Sequence, residues 1–250
     1  MLEITDHGPV REIRLARAPV NALSAEFVEA IDAALDAAFT AGGSGAVRAV
    51  VLAGQPGMFS AGLDVREVMA GGATMQRLML AFWGLQQRLA RSPLPVIAAL
   101  TGHAPAGGTV LAVLCDHRVM ADGDFRMGLN EVQVGLFPGE IIHRCFERLV
   151  GTGRAAALLP RGAMLTPAQA LAAGLVDEVV AAERTVPRAL ELAAECAALP
   201  PIAYRRTREM VRADLVRLFE GPSSGILARF GDDWVTDETR ARMATILSRR

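Results

Sequence analysis

An α/β fold with a helical C-terminal region is expected from three features of the 250-residue sequence. Short apolar runs, Ala49–Ala53 and Val96–Leu100, alternate with longer stretches whose apolar residues recur every three or four positions. Each run leads into a glycine-bearing loop and then into a helical pattern, the order of a layered α/β protein rather than a bundle. Open α/β sheets place ligands at the carboxyl ends of their strands, so these two loops are expected to converge on one site.

The elements follow in order. Residues 2–15 alternate loosely around Asp6-His7-Gly8-Pro9, a turn between two short strands. Ser24 is placed to cap a helix that buries Phe27, Ile31, Leu35 and Phe39 at four-residue spacing. Gly42-Gly43-Ser44-Gly45 is a turn, and Ala49–Ala53 a buried strand. After the loop of residues 54–64 and a Gly71-Gly72 break, residues 74–91 read as a helix with Leu78, Phe82, Leu85 and Leu89 on one side. Pro93 and Pro95 end it before the strand Val96–Leu100. Residues 141–150 are helical, and the glycine pattern beginning at Gly151 is a turn between helices, since a dinucleotide fingerprint must follow a strand. Thr166 and Pro167 open a short helix as cap and first residue, Gly174 closes it, and residues 176–180 form a strand. Past Pro200-Pro201 the chain is arginine-rich and helical in pattern, interrupted at Gly221-Pro222, which divides it into a core of residues 1–199 and a C-terminal region of residues 200–250.

Composition narrows the function. With 52% hydrophobic residues there is material for a large core, yet no apolar run approaches the length a membrane span needs. A formal net charge of −1 gives no reason to expect nucleic acid or a membrane surface as partner. Cys115, Cys145 and Cys196 lie far apart without metal or redox spacing and read as buried thiols of a reducing compartment. The acidic start of the chain lacks a signal-peptide core, so a cytoplasmic protein is expected. The four histidines carry no metal-ligand spacing, and no metal site is expected.

The chemistry is concentrated in residues 100–139. A small-residue turn, Thr101 to Gly108, feeds the apolar stretch 109–115, and the first N–H groups of such a helix are free to face a developing negative charge. Some twenty residues on, Glu131 stands among Met127, Leu129, Val132 and Val134, surroundings that raise a carboxyl pKa and suit it to carry a proton. An anion-stabilising turn with one apolar-walled glutamate is equipped to make and quench an enolate. Ser60 lacks the glycine two residues before it that a nucleophile elbow requires, because position 58 is Met, and is expected to be a loop hydroxyl.

Phe59-Ser60-Ala61-Gly62-Leu63-Asp64 and Ala104-Pro105-Ala106-Gly107-Gly108, followed by Cys115-Asp116-His117-Arg118-Val119-Met120-Ala121, resemble the crotonase (enoyl-CoA hydratase/isomerase) superfamily. The likeness extends from Pro19-Val20-Asn21-Ala22-Leu23 to the C-terminal helices. It implies a spiral of strand–strand–helix turns, a C-terminal trimerisation region in a homotrimer or homohexamer, and an acyl-CoA thioester as substrate with no separate cofactor. By position it implies the N–H groups of Leu63 and Gly107 as the oxyanion hole, and the loop around Ala61 and Asp64 as the holder of the adenine end of CoA.

Hydratases of that superfamily carry two glutamates, and here the first position is Val110 and the second Glu131. Adding water across a double bond needs a positioned water and a delivered proton, and valine supplies neither. The residues around Gly107 and Glu131 are similar to mitochondrial-type 3,2-enoyl-CoA isomerases, which keep one glutamate; a double-bond shift needs only one base. A hydratase using Glu140, another acyl-CoA lyase or hydrolase using His103, and a non-catalytic acyl-CoA binder remain the alternatives. Met69, Met75, Leu80 and Phe137 are expected to shape the acyl pocket. Leu215, Leu218, Phe219, Ile226, Leu227, Phe230 and Trp234 are expected to give the C-terminal helices an apolar face for a partner subunit.

Overall fold

The computed structural model describes residues 1–220 and 234–248. Three successive turns of strand, strand and helix wind the centre of the chain. The first is β3 (Ala49–Ala53), β4 (Gly57–Met58) and the helices α2 (Val65–Ala70) and α3 (Gly72–Ala90). The second is β5 (Val96–Leu100), β6 (Gly102–Pro105) and α4 (Gly107–Leu114). The third is β7 (His117–Ala121), β8 (Met127–Gly128), a 3₁₀ turn at Glu131–Val134 and α5 (Glu140–Val150).

The first strand of each turn joins a six-stranded sheet, preceded by β1 (Leu2–His7), β2 (Val10–Leu15) and α1 (Ala25–Gly43). That sheet runs β1-β2-β3-β5-β7-β9, with β9 at Glu178–Val180. Only β1 and β2 pair antiparallel, as the turn at Gly8-Pro9 dictates. The second strand of each turn joins a small parallel sheet, β4-β6-β8. Each chain pass therefore crosses from the large sheet to the small one at a glycine-bearing loop.

β3 and β5 are apolar throughout because they are buried on both faces. Successive side chains alternate. Val50, Leu52, Ala98 and Leu100 enter the main core with α1 and α3, while Ala49, Val51, Ala53, Ile97 and Ala99 pack with Ala189, Leu192 and Ala193 of α8 (Thr185–Ala198). Ser24 caps α1 by accepting from Phe27 N at 3.2 Å, and Phe27, Ile31 and Leu35 are fully buried as the spacing predicts.

Several boundaries shift for local reasons. α3 begins at Gly72 rather than residue 74, with Gly71 at φ +66° taking the bend. The turn at Gly151 is that residue alone, at φ +80°; Thr152 already starts α6 (Thr152–Leu158). Thr166 and Gln169 form a reciprocal capping box on α7 (Pro167–Ala173), and Gly174 closes it at φ +79°. The strand expected over 176–180 starts at Glu178, because Val176 packs into the core and Asp177 uses its carboxylate on Arg118 N at 2.8 Å. Cys115 and Cys145 are buried, whereas Cys196 is only half-buried.

After Pro200, α9 (Pro201–Val211) and α10 (Ala213–Leu218) are fastened to the core by buried charge. Asp116 accepts from Arg208 Nε at 2.7 Å and Nη2 at 2.8 Å, and from Arg212 Nη1 at 3.2 Å. Arg208 also donates to Ser92 Oγ, and Arg212 to the carbonyls of Leu89 and Leu114. The apolar residues expected to face a partner subunit turn inward instead: Leu215, Phe219 and Trp234 are at most 3% exposed within this chain. Ile226, Leu227 and Phe230, like Gly221-Pro222, lie outside the described residues. Among the described residues, the large exposed apolar side chains from residue 199 onward are Leu199, Ile202, Met210 and Val211. α11 (Asp237–Ser248) closes the described chain, with Thr239 Oγ1 donating to Gly135 O at 3.0 Å. No helix among the described residues is long and apolar enough to cross a membrane.

Burial pushes the Asp116 carboxyl up, but Arg212 and Arg208 outweigh it and hold the pKa below the ordinary value. Its stabilising contribution is therefore present above the unfolded pKa and lost as pH falls through the folded one. Asp116→Asn should lower the unfolding free energy by about 3–5 kcal/mol at neutral pH, because two buried guanidinium groups lose their counter-charge. Urea denaturation at pH 7 checks this; an unchanged midpoint would assign the anchoring to the carbonyl bonds alone.

Candidate functional site

The loop ending β3–β4 and the loop ending β5–β6 meet backbone to backbone. A Cβ on Gly108 would lie 2.5 Å from Ser60 O, and one on Gly62 would lie 2.9 Å from Gly107 N. Neither position admits a side chain, which is the physical meaning of the two glycine motifs. Ser60 is the loop hydroxyl expected from sequence: its Oγ donates to Asn21 O at 2.8 Å and accepts from Gly62 N at 3.2 Å. Asn21, at φ +49°, supplies the rest of the frame by donating from Nδ2 to Leu15 O and Phe59 O. Sequence reading passed over this residue, although an Asn in a turn is a signal for that backbone conformation.

Two backbone amides come together there. Gly107 is the first residue of α4, so its N–H has no acceptor within the helix. Leu63 lies between two engaged amides, since Gly62 donates to Ser60 Oγ and Asp64 to Leu23 O. A Cβ on Gly107 would stand 3.3 Å from Leu63 N, which sets the two groups side by side. Ala106 holds the turn at φ +46° and ψ −116°, a region costly to a residue with a side chain. Its N–H donates to Gly128 O at 2.8 Å, tying the turn to the next pass of the spiral.

That pass carries Glu131. Thr109 fixes it from α4: its hydroxyl donates to Ala104 O at 2.6 Å and accepts from Gly128 N at 2.8 Å. Thr109 is another residue the sequence reading did not single out, because one partner is nineteen residues away and the other is folded back on its own turn. Gly128 passes so close to Ala163 O that an added Cβ would be 2.3 Å from it.

A cavity of about 1240 Å³ opens over these elements. Ala61, Leu63, Gly107, Val110 and Glu131 all line it, so the structure brings together residues spread over seventy positions. Among the described residues its titratable lining is Glu131, Glu140, His103 and His143. Burial drives the Glu131 pKa up to about 7, against a weaker lowering by its own backbone N–H. Its Oε2 is buried and has no hydrogen-bond partner. The walls are not the ones sequence proximity suggested. Val132 and Val134 line the cavity, but Met127 and Leu129 are buried in the main core, and Val110, Leu136 and Ile142 contribute instead.

Other expectations change as well. Asp64 is not in the lining: it caps α2 through Arg66 N at 3.1 Å and pairs with Arg17 at 3.0 Å, so its carboxylate is committed to the fold. Of Met69, Met75, Leu80 and Phe137, only Phe137 reaches the cavity. Met69 and Met75 pack against the core, and Leu80 faces solvent. His103 lines the cavity with Nδ1 accepting from Arg126 N at 3.1 Å and its ring edge-on to Phe125. Glu140 is exposed at the start of α5 on the cavity rim.

The family model described as "Enoyl-CoA hydratase/isomerase" matches residues 5–220. The chain is 34% identical over 209 residues to human "Enoyl-CoA delta isomerase 1, mitochondrial", covering 81% of this chain and 67% of that one. It is 31% identical over 235 residues to the "Probable enoyl-CoA hydratase" of Bacillus subtilis strain 168, covering 93% and 90%. The crystal structure of human mitochondrial delta3-delta2-enoyl-CoA isomerase superposes with a TM-score of 0.91 at 30% identity, covering 99% of this chain and 97% of that one.

The buried carboxylate has a consequence for stability that no knowledge of substrate is needed to test. Between the ordinary carboxyl pKa and about 7, the unfolded chain ionises Glu131 while the folded one keeps it protonated, so rising pH weakens the fold. Glu131→Gln should match the wild type below about pH 4 and exceed it by up to ~3 kcal/mol above pH 8. Denaturant titrations across that range measure it, and equal stability at both ends would mean the carboxylate is solvated.

Proposed function

Since this chain belongs to the enoyl-CoA hydratase/isomerase family, we propose that it is a 3,2-enoyl-CoA isomerase, which moves a double bond from the beta–gamma to the alpha–beta position of an acyl-CoA thioester. The observation that carries this reading is the chemistry of the cavity wall. Glu131 is a buried carboxylate, while Val110, where a hydratase of this superfamily would carry a second glutamate, is an apolar wall residue.

In this reading the thioester oxygen is held by the N–H groups of Leu63 and Gly107. Glu131 takes the proton from the alpha carbon, and the electron pair moves onto the thioester oxygen as an enolate. The two N–H groups stabilise that charge in the low-dielectric loop junction. Collapse of the enolate forms the alpha–beta double bond, and the electrons of the former beta–gamma bond take the proton back from Glu131 at the gamma carbon. A base with a pKa of about 7 suits both transfers, since it is ionised enough to start and acidic enough to give the proton back. No further cofactor is required, because the CoA thioester supplies the acidity. Ala61 contributes to the CoA-facing wall, and Asp64 keeps its loop in place through α2 and Arg17.

The second reading is a hydratase in which Glu140, on the same cavity, replaces the missing acid. One assay separates them: conversion of a 3-enoyl-CoA against hydration of a 2-enoyl-CoA by the same preparation. Isomerisation should dominate, and Glu131→Gln should reduce it by ~10²–10⁴-fold while affinity for a saturated acyl-CoA stays near that of the wild type. The wild-type kcat/KM should climb with pH and level off above about 7, where Glu131 is ionised. Dominant hydration, abolished by Glu140→Gln, would favour the second reading.

The exposed apolar residues Leu199, Ile202, Met210 and Val211 support association of copies into a trimer or a pair of trimers. Light scattering at micromolar concentration should give three or six times the chain mass; a single-chain mass would refute it.

A further inference from the structure

Thirteen glycines take positive φ among the described residues, and only two other residues do so, Asn21 and Ala106. Asn tolerates that region because its short polar side chain bonds locally, as that of Asn21 does to Leu15 O and Phe59 O. Ala106 has no comparable side chain. Its φ of +46° and ψ of −116° mirror the first central residue of a type II turn, where an L-residue is strained and glycine is not. Hydrogen bonds hold it there on both sides: its N–H donates to Gly128 O at 2.8 Å, and its carbonyl accepts from Val110 N at 2.9 Å. Glycine would make the same turn without strain, so the backbone gives no reason for the methyl group.

Packing gives none either. Ala104, two residues back, is fully buried in the main core, whereas Ala106 is half-buried and belongs to neither core cluster. Its surroundings are the cavity, which it lines together with Leu63 and Gly107. A Cβ placed on Gly62 would meet the Ala106 Cβ at 3.1 Å and Gly107 N at 2.9 Å, so the methyl stands at the seam where the two loops touch. Strained residues persist where the surrounding structure imposes them, and they gather at functional sites. An amide pair stabilises a developing charge best when water is kept from it, because a high local dielectric weakens the interaction. Resting on the isomerase reading above, we propose that the Ala106 methyl is the wall that keeps water off the Leu63 and Gly107 N–H groups, held in place by a strained turn.

Three measurements on Ala106→Gly test this. Relief of strain should raise the melting temperature by about 2–4 °C, net of the chain entropy that glycine adds to the unfolded state. Turnover of a 3-enoyl-CoA should nevertheless fall about tenfold with KM little changed, short of the ~10²–10³-fold that follows loss of a whole oxyanion donor. A crystal structure of the variant with octanoyl-CoA should show a water in the vacated place, beside the thioester oxygen, and the turn unmoved. A residue serving the fold alone would lose stability and turnover together, so a stabler and slower enzyme is the signature. Ala106→Ser keeps the Cβ and the backbone strain; it should melt with the wild type and recover most of the turnover. Full turnover in the glycine variant overturns the inference, as does a lower melting temperature, or a displaced turn with no water. A wild type that converts no 3-enoyl-CoA would instead bring down the isomerase reading, and this inference with it.

Discussion

Two backbone segments approach so closely between Ser60 and Gly108 that a single methyl group has no room, and the functional part of the molecule is arranged around that approach. The contact requires glycine at 62 and 108 and leaves little room at 107, and it requires something to hold the segments against one another. Asn21 and Ser60 do so through bonds to backbone carbonyls and amides rather than to each other's side chains. Where the segments touch, two amide groups lie next to one another at the start of a helix. A pair of adjacent amides is therefore a by-product of how two turns of the spiral stack.

The third turn of the spiral adds the Glu131 carboxyl by the same logic. Thr109 on α4 bonds both to the strand before it and to Gly128 of the next pass, so this hydroxyl and the Ala106 N–H bond to Gly128 O together tie the pass that carries Glu131 to the amide pair. The carboxylate then sits in a cavity whose walls are mostly hydrocarbon, and desolvation lifts its pKa to about 7. Trp83 Nε1 lies buried without a partner in the lining of the same cavity but cannot respond by changing protonation.

The C-terminal helices are held by charge and by apolar packing together. Asp116 stands at the end of α4 and draws Arg208 and Arg212 into the core, while Phe219 packs its ring 5.0 Å from that of Trp83 on the cavity helix. Trp234 donates to Phe137 O at the cavity rim. Trp234 and Met243 of this region thus also line the cavity, so its shape depends on residues distant in sequence from Glu131.

By itself the sequence determined the α/β order, the two glycine loops and the isolated glutamate. Those are local signals: apolar runs mark buried strands, glycine marks forced turns, and a lone carboxylate in an apolar string stands out without any knowledge of neighbours. Tertiary structure decided what stands against what. Met127 and Leu129 precede Glu131 in the chain yet belong to the core, because the strand β8 ends at Gly128 and Glu131 opens a 3₁₀ turn that no longer follows its alternation. Asp64 looked available in the motif but caps a helix and pairs with Arg17, forty-seven residues away. Leu215, Phe219 and Trp234 read as an exposed apolar face and turn inward, since a helical pattern shows that one side is apolar and not which surface covers it. Trp83 is unremarkable in a helix until the fold buries its indole N–H without a partner, and burial is a property that no run of neighbouring residues encodes.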